Sequence, residues 1–130
     1  MVLPDTSVWI PYFRSASGAE GDRLEALIED GEVAICGPVF AELLGGAGDA
    51  QRSAIVDTVG GLPWADLDHG SWLDIGAAAG RLRQLGETLP LTDLAIAVAA
   101  ARAGYALWSL DSDFERIVPV QDGLELYEPT

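Results

Sequence analysis

The chain has no lysine, and all seven of its basic residues are arginine. That absence removes Schiff-base chemistry and the phosphate-binding loops that end in lysine. It also argues against a phosphoacceptor receiver domain. Such a module shares the chain's length, acidity and strand-end carboxylates, but it needs a lysine beside its acyl phosphate. Cysteine is nearly absent too. Cys36 stands alone, so no intramolecular disulfide can form, which fits a reducing compartment. Its setting, Val-Ala-Ile-Cys-Gly-Pro, reads as a small buried hydrophobe. The single histidine, His69, falls at a strand-to-helix turn and reads as a turn or cap residue. No apolar run approaches the roughly 20 residues of a membrane span, and no basic segment precedes a signal-like core. The chain therefore reads as cytoplasmic, with no membrane association.

What the sequence has in excess is negative charge. Twenty-one acidic residues against seven arginines give a net charge of −14. A charge of this sign weakens long-range attraction to nucleic acid and draws in a basic protein partner. With 130 residues, 49% of them hydrophobic and 22% charged, the composition suits one folded domain, residues 1–130, rather than a disordered chain.

Hydrophobic periodicity divides the chain into short strands and helices. Residues 2–5, 33–36, 62–67, 105–110 and 124–127 read as strands bounded by Gly, Pro or Asp. Helical patterns fill the intervals. One starts at Pro38 and ends at Gly45-Gly46, and two amphipathic ones cover 19–30 and 49–59. Another carries Trp72, Ile75, Ala79, Leu82 and Leu85 as its apolar stripe, and an almost wholly apolar one is N-capped by Thr92 and stops near Gly104. Segments 15–22 and 45–50, rich in Gly, Ala and Ser, read as surface loops. Strands alternating with helices imply an α/β fold of three layers, with a central, mainly parallel sheet of four to five short strands. Two prolines disturb this pattern locally: Pro4 sits inside the first strand, where it removes a ladder donor, and Pro11 falls within the first helix.

Four acids stand where buried charge is costly: Asp5, Glu42, Asp93 and Asp111, each embedded in an apolar stretch. Asp5 and Asp111 follow strands, Asp93 opens a helix, and Glu42 lies one turn into the helix after the second strand. In open α/β sheets this is the edge where ligands bind. Each acid also has a structural reading. Asp93 complements a helix dipole, Asp111 with Ser112 and Asp113 makes a turn or cap, and Asp5 is a cap. Taken together, carboxylates converging on one rim require a cation, and an oxygen-only donor set suits Mg²⁺ or Mn²⁺.

The segments Asp5-Thr-Ser-Val-Trp-Ile, Phe-Ala-Glu42-Leu-Leu, Leu-Thr-Asp93-Leu-Ala-Ile-Ala and Leu-Asp111-Ser-Asp113-Phe resemble, in order and spacing, the PIN-domain ribonucleases of the VapC toxin family. The resemblance covers essentially the whole chain. It implies a Mg²⁺-dependent endoribonuclease toxin with a central parallel sheet, held inactive by a VapB-type antitoxin. By motif match Asp5, Glu42 and Asp93 are metal ligands and Asp111 the fourth acid, while Asp113 ligates through water or takes Asp111's place. Thr6, Ser7 and Ser109 would hold these carboxylates or a phosphate from behind.

The reaction so implied is hydrolysis of an RNA phosphodiester by metal-activated water, leaving a 5′-phosphate and a 3′-hydroxyl. Transfer RNA and ribosomal RNA are both in the family's range. In so acidic a chain, substrate contacts fall to arginines such as Arg14, Arg81, Arg83 or Arg116, helped by a homodimer. Trp9, Tyr12, Phe13 and Trp72 could serve core, dimer interface or antitoxin groove. The other readings are a DNA-cleaving relative and a PIN-like fold without nuclease activity that acts as an interaction module.

Overall fold

The computed structural model describes residues 1–14 and 18–129; residues 15–17 of the expected 15–22 loop lie outside them. Three parallel strands, β1 (Val2–Pro4), β2 (Ala106–Trp108) and β3 (Glu125–Leu126), are hydrogen-bonded in that order. Two further segments extend the sheet beyond β1 by a single parallel bridge each, Val2 to Val33 and Ile35 to Trp64. The expected strands at 33–36 and 62–67 thus lie in the right places but are not strands.

Proline accounts for both. In a parallel ladder alternate residues of a strand face each neighbour. The Val2 amide donates to Glu32 and its carbonyl accepts from Ala34, so the next rung on that side would need the N–H that Pro4 lacks. The Asp5 amide, on the other side, still reaches the Trp108 carbonyl at 2.8 Å. Pro63 acts likewise: its carbonyl accepts from Ile35, and Ala65 donates back, but Pro63 has no N–H for the preceding rung.

Among the described residues six α-helices surround the sheet: α1 (Thr6–Phe13), α2 (Ala19–Glu29), α3 (Gly37–Gly45), α4 (Asp49–Val59), α5 (His69–Gln84) and α6 (Leu91–Ala103). Helices α1 to α4 pack on one another and α5 packs on α6, giving the three-layer α/β/α arrangement. The core runs from Trp9 and Leu24 on one side to Ile75, Leu82 and the buried run Leu94–Ala100 on the other. Trp9 is fully buried, and Tyr12 and Phe13 pack against the core beside it.

Several boundaries differ from expectation. The cap of α6 is Pro90, not Thr92, because the Pro90 carbonyl already accepts from Asp93 and Leu94. The stripe that α5 buries is Ser71, Ile75, Ala78 and Leu82; Trp72 and Leu85 are exposed. A capping box explains the shift. Ser71 and Asp68 exchange hydrogen bonds, which turns Ser71 inward and swings Trp72 to the surface. His69 is the first residue of this helix, next to its cap. Pro11 lies past the first turn of α1; the Ser7 carbonyl loses its helical donor, and the helix stops two residues later. Among the described residues no helix is long and apolar enough to cross a membrane.

Candidate metal and nuclease site

The carboxyl edge of the sheet gathers residues far apart in sequence. Asp5 follows β1 and N-caps α1, accepting the Ser7 amide at 3.0 Å. It is buried, and each of its oxygens receives a hydroxyl: Ser7 Oγ donates to Oδ1 at 2.5 Å and Ser109 Oγ to Oδ2 at 2.6 Å. Both serines also accept. Leu110 N–H donates to Ser7 Oγ, and Asp111 N–H to Ser109 Oγ, each at 2.9 Å. Two hydroxyls thereby fasten the loop after β2 to the carboxylate after β1.

That loop continues into a short 3-10 helix, Ser112–Arg116, capped by the Asp111 carboxylate on the Asp113 amide at 2.9 Å. Phe114, buried, anchors it. Residues three apart eclipse in a 3-10 helix, so Asp113 and Arg116 share a face and pair at 2.6 Å.

Asp93, in the first turn of α6, meets this loop. Single carboxylate oxygens of Asp93, Asp111 and Asp113 lie within 4.8 Å of one another. Burial, then the charges of Asp111, Glu42, Asp5 and Asp113, push the Asp93 carboxyl up to about 6. Asp5 is raised as well, by burial, against the opposing pull of its hydrogen bonds from Ser109, Ser7 and Val8. Glu42 approaches from α3, its Oε1 accepting from Thr6 Oγ1 at 2.7 Å.

One expectation is corrected. Of the four acids in apolar stretches only Asp5 is buried; Asp93 is half-buried, and Glu42 and Asp111 are exposed. Helical period is the reason for Glu42. Val39 and Leu43 take the inward positions of α3, leaving Ala41 and Glu42 on its outer face. Burial is the larger cause of the rise at Asp93, and convergence of the acids adds to it.

The donor set fits a hard divalent ion. It offers carboxylate oxygens without competing nitrogen or sulfur ligands, and the rise at Asp93, due first to burial, includes a repulsive part that a cation would relieve. Cys36 N-caps α3 nearby, but its thiol is buried and pushed up to about 12, chiefly by that burial, so it is no ligand or nucleophile at neutral pH.

The candidate arginines separate. Arg116 joins the cluster, and Arg14 lines a groove with Ile10, Phe13 and Glu42. Arg81 is bonded to the Val120 carbonyl in a cleft that includes none of the acid set, and Arg83 borders another cleft with Glu87. Sequence reasoning missed the backbone amides of Leu110 and Asp111 as part of the site. They are tied to serines by bonds such as Leu110 to Ser7, 103 residues apart, for which the sequence carries no local signal.

Residues 2–118 match the PIN-domain family model. Ribonuclease VapC11 of Mycobacterium tuberculosis (strain H37Rv) is 34% identical over 127 residues, covering 92% of this chain and 93% of the relative. The chain belongs to the VapC branch of the PIN-domain family. A crystal structure of VapBC-5, a member of the VapBC family of toxin–antitoxin systems from M. tuberculosis, aligns with a TM-score of 0.71 at 27% identity, covering 98% of this chain and 97% of that one. VapBC2 from Rickettsia felis, solved bound to a promoter DNA fragment, aligns with a TM-score of 0.78 over 98% of both chains. Its 23% identity speaks to the fold alone.

Proposed function

We propose that this protein is the toxin of a type II toxin–antitoxin pair, a cytoplasmic metal-dependent endoribonuclease whose residues 1–130 form one PIN domain. The observation that carries this reading is the convergence of Asp93, Asp111 and Asp113 at the rim, with Asp93 pushed up to about 6. The chain supplies too little positive charge of its own to offset so many acids.

Asp5, Glu42, Asp93 and Asp111 hold the ion, Mg²⁺ with Mn²⁺ as a substitute, and Asp113 shares the fourth position with Asp111. When bound, such an ion supplies a low-pKa water and a Lewis acid for a phosphodiester. The protein's own part is orientation. Ser7 and Ser109 fix the Asp5 carboxylate in place and oppose the raising effect of its burial. Thr6 aims Glu42. Hydrolysis leaves a 5′-phosphate and a 3′-hydroxyl, with no protein nucleophile, in transfer RNA or ribosomal RNA.

The name ribonuclease carried by the M. tuberculosis relative supports RNA as substrate, and the VapBC assemblies among similar folds support a VapB-type antitoxin. Net charge of −14 supports a basic partner for the same reason. A homodimer is supported by the exposed apolar surface of Trp72, Leu73 and Leu91.

Purified protein should cleave RNA in Mg²⁺ and stop in EDTA, and Asp5→Ala and Asp93→Ala variants should be inactive. Cleavage that survives EDTA, or full activity in those variants, overturns the reading. Equal cleavage of single-stranded DNA in a parallel reaction would favour a general PIN nuclease instead.

A further inference from the structure

The acid cluster solves metal binding and creates a second problem, the approach of a polyanion. Arg116 is, among the described residues, the arginine in ion-pair contact with that cluster. Its guanidinium binds Asp113 Oδ1 through Nη2 at 2.6 Å and forms a second, longer ion pair from Nη1 to Glu87 Oε1 at 3.6 Å. It remains 42% exposed. A guanidinium has five donors in a planar fork, so these two pairs leave further N–H groups on an exposed side chain for a ligand beside the carboxylates.

The elements behind it make this placement deliberate in physical terms. Asp111 caps the 3-10 helix, buried Phe114 fixes its roll, and the eclipsed i, i+3 positions bring Arg116 over Asp113. Asp113 thus leans toward the ion site and toward the arginine at once. Of the other arginines, Arg14 borders the groove beside Glu42 but pairs with none of the acids, and the rest are spent elsewhere or stand apart. Arg102 pairs with Asp68 and Asp74, Arg81 with the Val120 carbonyl, and Arg23 with the Tyr127 hydroxyl.

From this geometry we infer that Arg116, oriented by Asp113, binds a backbone phosphate of the RNA next to the scissile bond. The inference rests on the ribonuclease reading and adds the group that lets a polyanion approach the carboxylates. The fork donates to two phosphate oxygens at once, in a geometry that a point charge does not fix. Binding exchanges a solvent-facing edge of the guanidinium for phosphate while Asp113 keeps the other edge.

The test compares wild type, Arg116→Ala, Arg116→Lys and Arg52→Ala, the last a charge-matched change on α4 away from the acid set. The probe is a random-sequence single-stranded RNA carrying a fluorophore and quencher, in Mg²⁺ over a range of salt concentrations. Arg116→Ala should raise KM about 10- to 100-fold, the scale of one hydrogen-bonded charge. The slope of log KM against log salt should also fall by about 0.7, the loss of one single-strand phosphate contact. Arg116→Lys should keep the slope and recover part of KM, and Arg52→Ala should change neither.

If Arg116→Ala matches Arg52→Ala while wild type cleaves, the phosphate assignment is wrong and the nuclease reading stands. The assignment is equally wrong if Arg116→Ala alters only kcat and the Mg²⁺ requirement, as loss of support for Asp113 alone would do. If wild type does not cleave RNA in the presence of a divalent ion, both fail together. Thermal melts of the two Arg116 variants establish that each is folded.

Discussion

Replacing Asp93 with asparagine should stabilise the metal-free protein while abolishing RNA cleavage. The carboxyl is pushed from its ordinary value of 3.8 up to about 6, so the native state binds more protons than the unfolded chain between those limits. The metal-free fold therefore loses stability as pH rises through this window, and the full cost is present above it. A rise of that size corresponds to about 3 kcal/mol if transmitted entirely to folding. Asp93 is only half-buried, and water and salt reduce that to about 1 kcal/mol. For a domain of this size the difference amounts to about 3 °C in Tm. Thermal melts in EDTA at pH 7.5 should place Asp93→Asn above wild type by that margin, and the gap should close at pH 5, where wild-type Asp93 is largely protonated. Adding Mg²⁺ at pH 7.5 should raise wild type more than the variant, because only wild type keeps the full donor set. A variant that melts at or below wild type in EDTA at pH 7.5, or an equal gap at both pH values, would show that the burial and repulsion of an ionised Asp93 do not load the fold.

Ser109→Ala removes one hydroxyl from a buried carboxylate and one acceptor from Asp111 N–H; it should cost about 1.5 to 3 kcal/mol in a denaturant melt. Because that hydroxyl holds the Asp5 carboxyl down, the acid limb of the pH–rate profile should move to higher pH, and an unmoved limb would contradict the assignment. Cys36 should resist a thiol reagent at pH 8 in the native protein and react on unfolding, and Cys36→Ala should keep RNA cleavage.

The acid set was legible in the sequence because a carboxylate at a strand end or in a first helical turn keeps its address whatever the neighbouring packing. Asp5 and Asp93 show this. An apolar sequence context gives only part of the reason for their importance. Apolar neighbours in sequence do not bury a side chain on a helix, as Glu42 demonstrates on the outer face of α3. Trp72 fails in the same way, since a stripe drawn through Trp72, Ile75 and Leu82 misjudges the roll of α5 by one residue. That roll is set by the Asp68–Ser71 box, a polar device with no hydrophobic period. The strand count failed where proline intervened. Pro4 is visible in the sequence as a disturbance, but which neighbour it faces depends on register, which a single strand does not encode. The serine ties between Asp5 and the loop at 109–111 depend on β1 and β2 lying side by side, and so were beyond local reading.

The two proline-limited bridges divide the sheet into halves of unequal strength. From β1 through β2 to β3 the backbone is laddered, whereas the segment leading into α3 is held to β1 by one rung. Asp5, Ser109, Asp111 and Asp113 belong to the laddered half, and Glu42 arrives from the other, crossing the seam through its bond to Thr6. Backbone rungs are not all that keeps this half in place, because Val33, Ala34, Ile35 and Cys36 are fully buried in the common core. The piece carrying 33–45 is therefore held chiefly by side-chain packing, where the other half is held by its ladder as well. Glu42, exposed on α3, owes its place to that packing and to the Thr6 hydroxyl. Loosening the core beneath α3 would move Glu42 and leave Asp5, Asp111 and Asp113 in register.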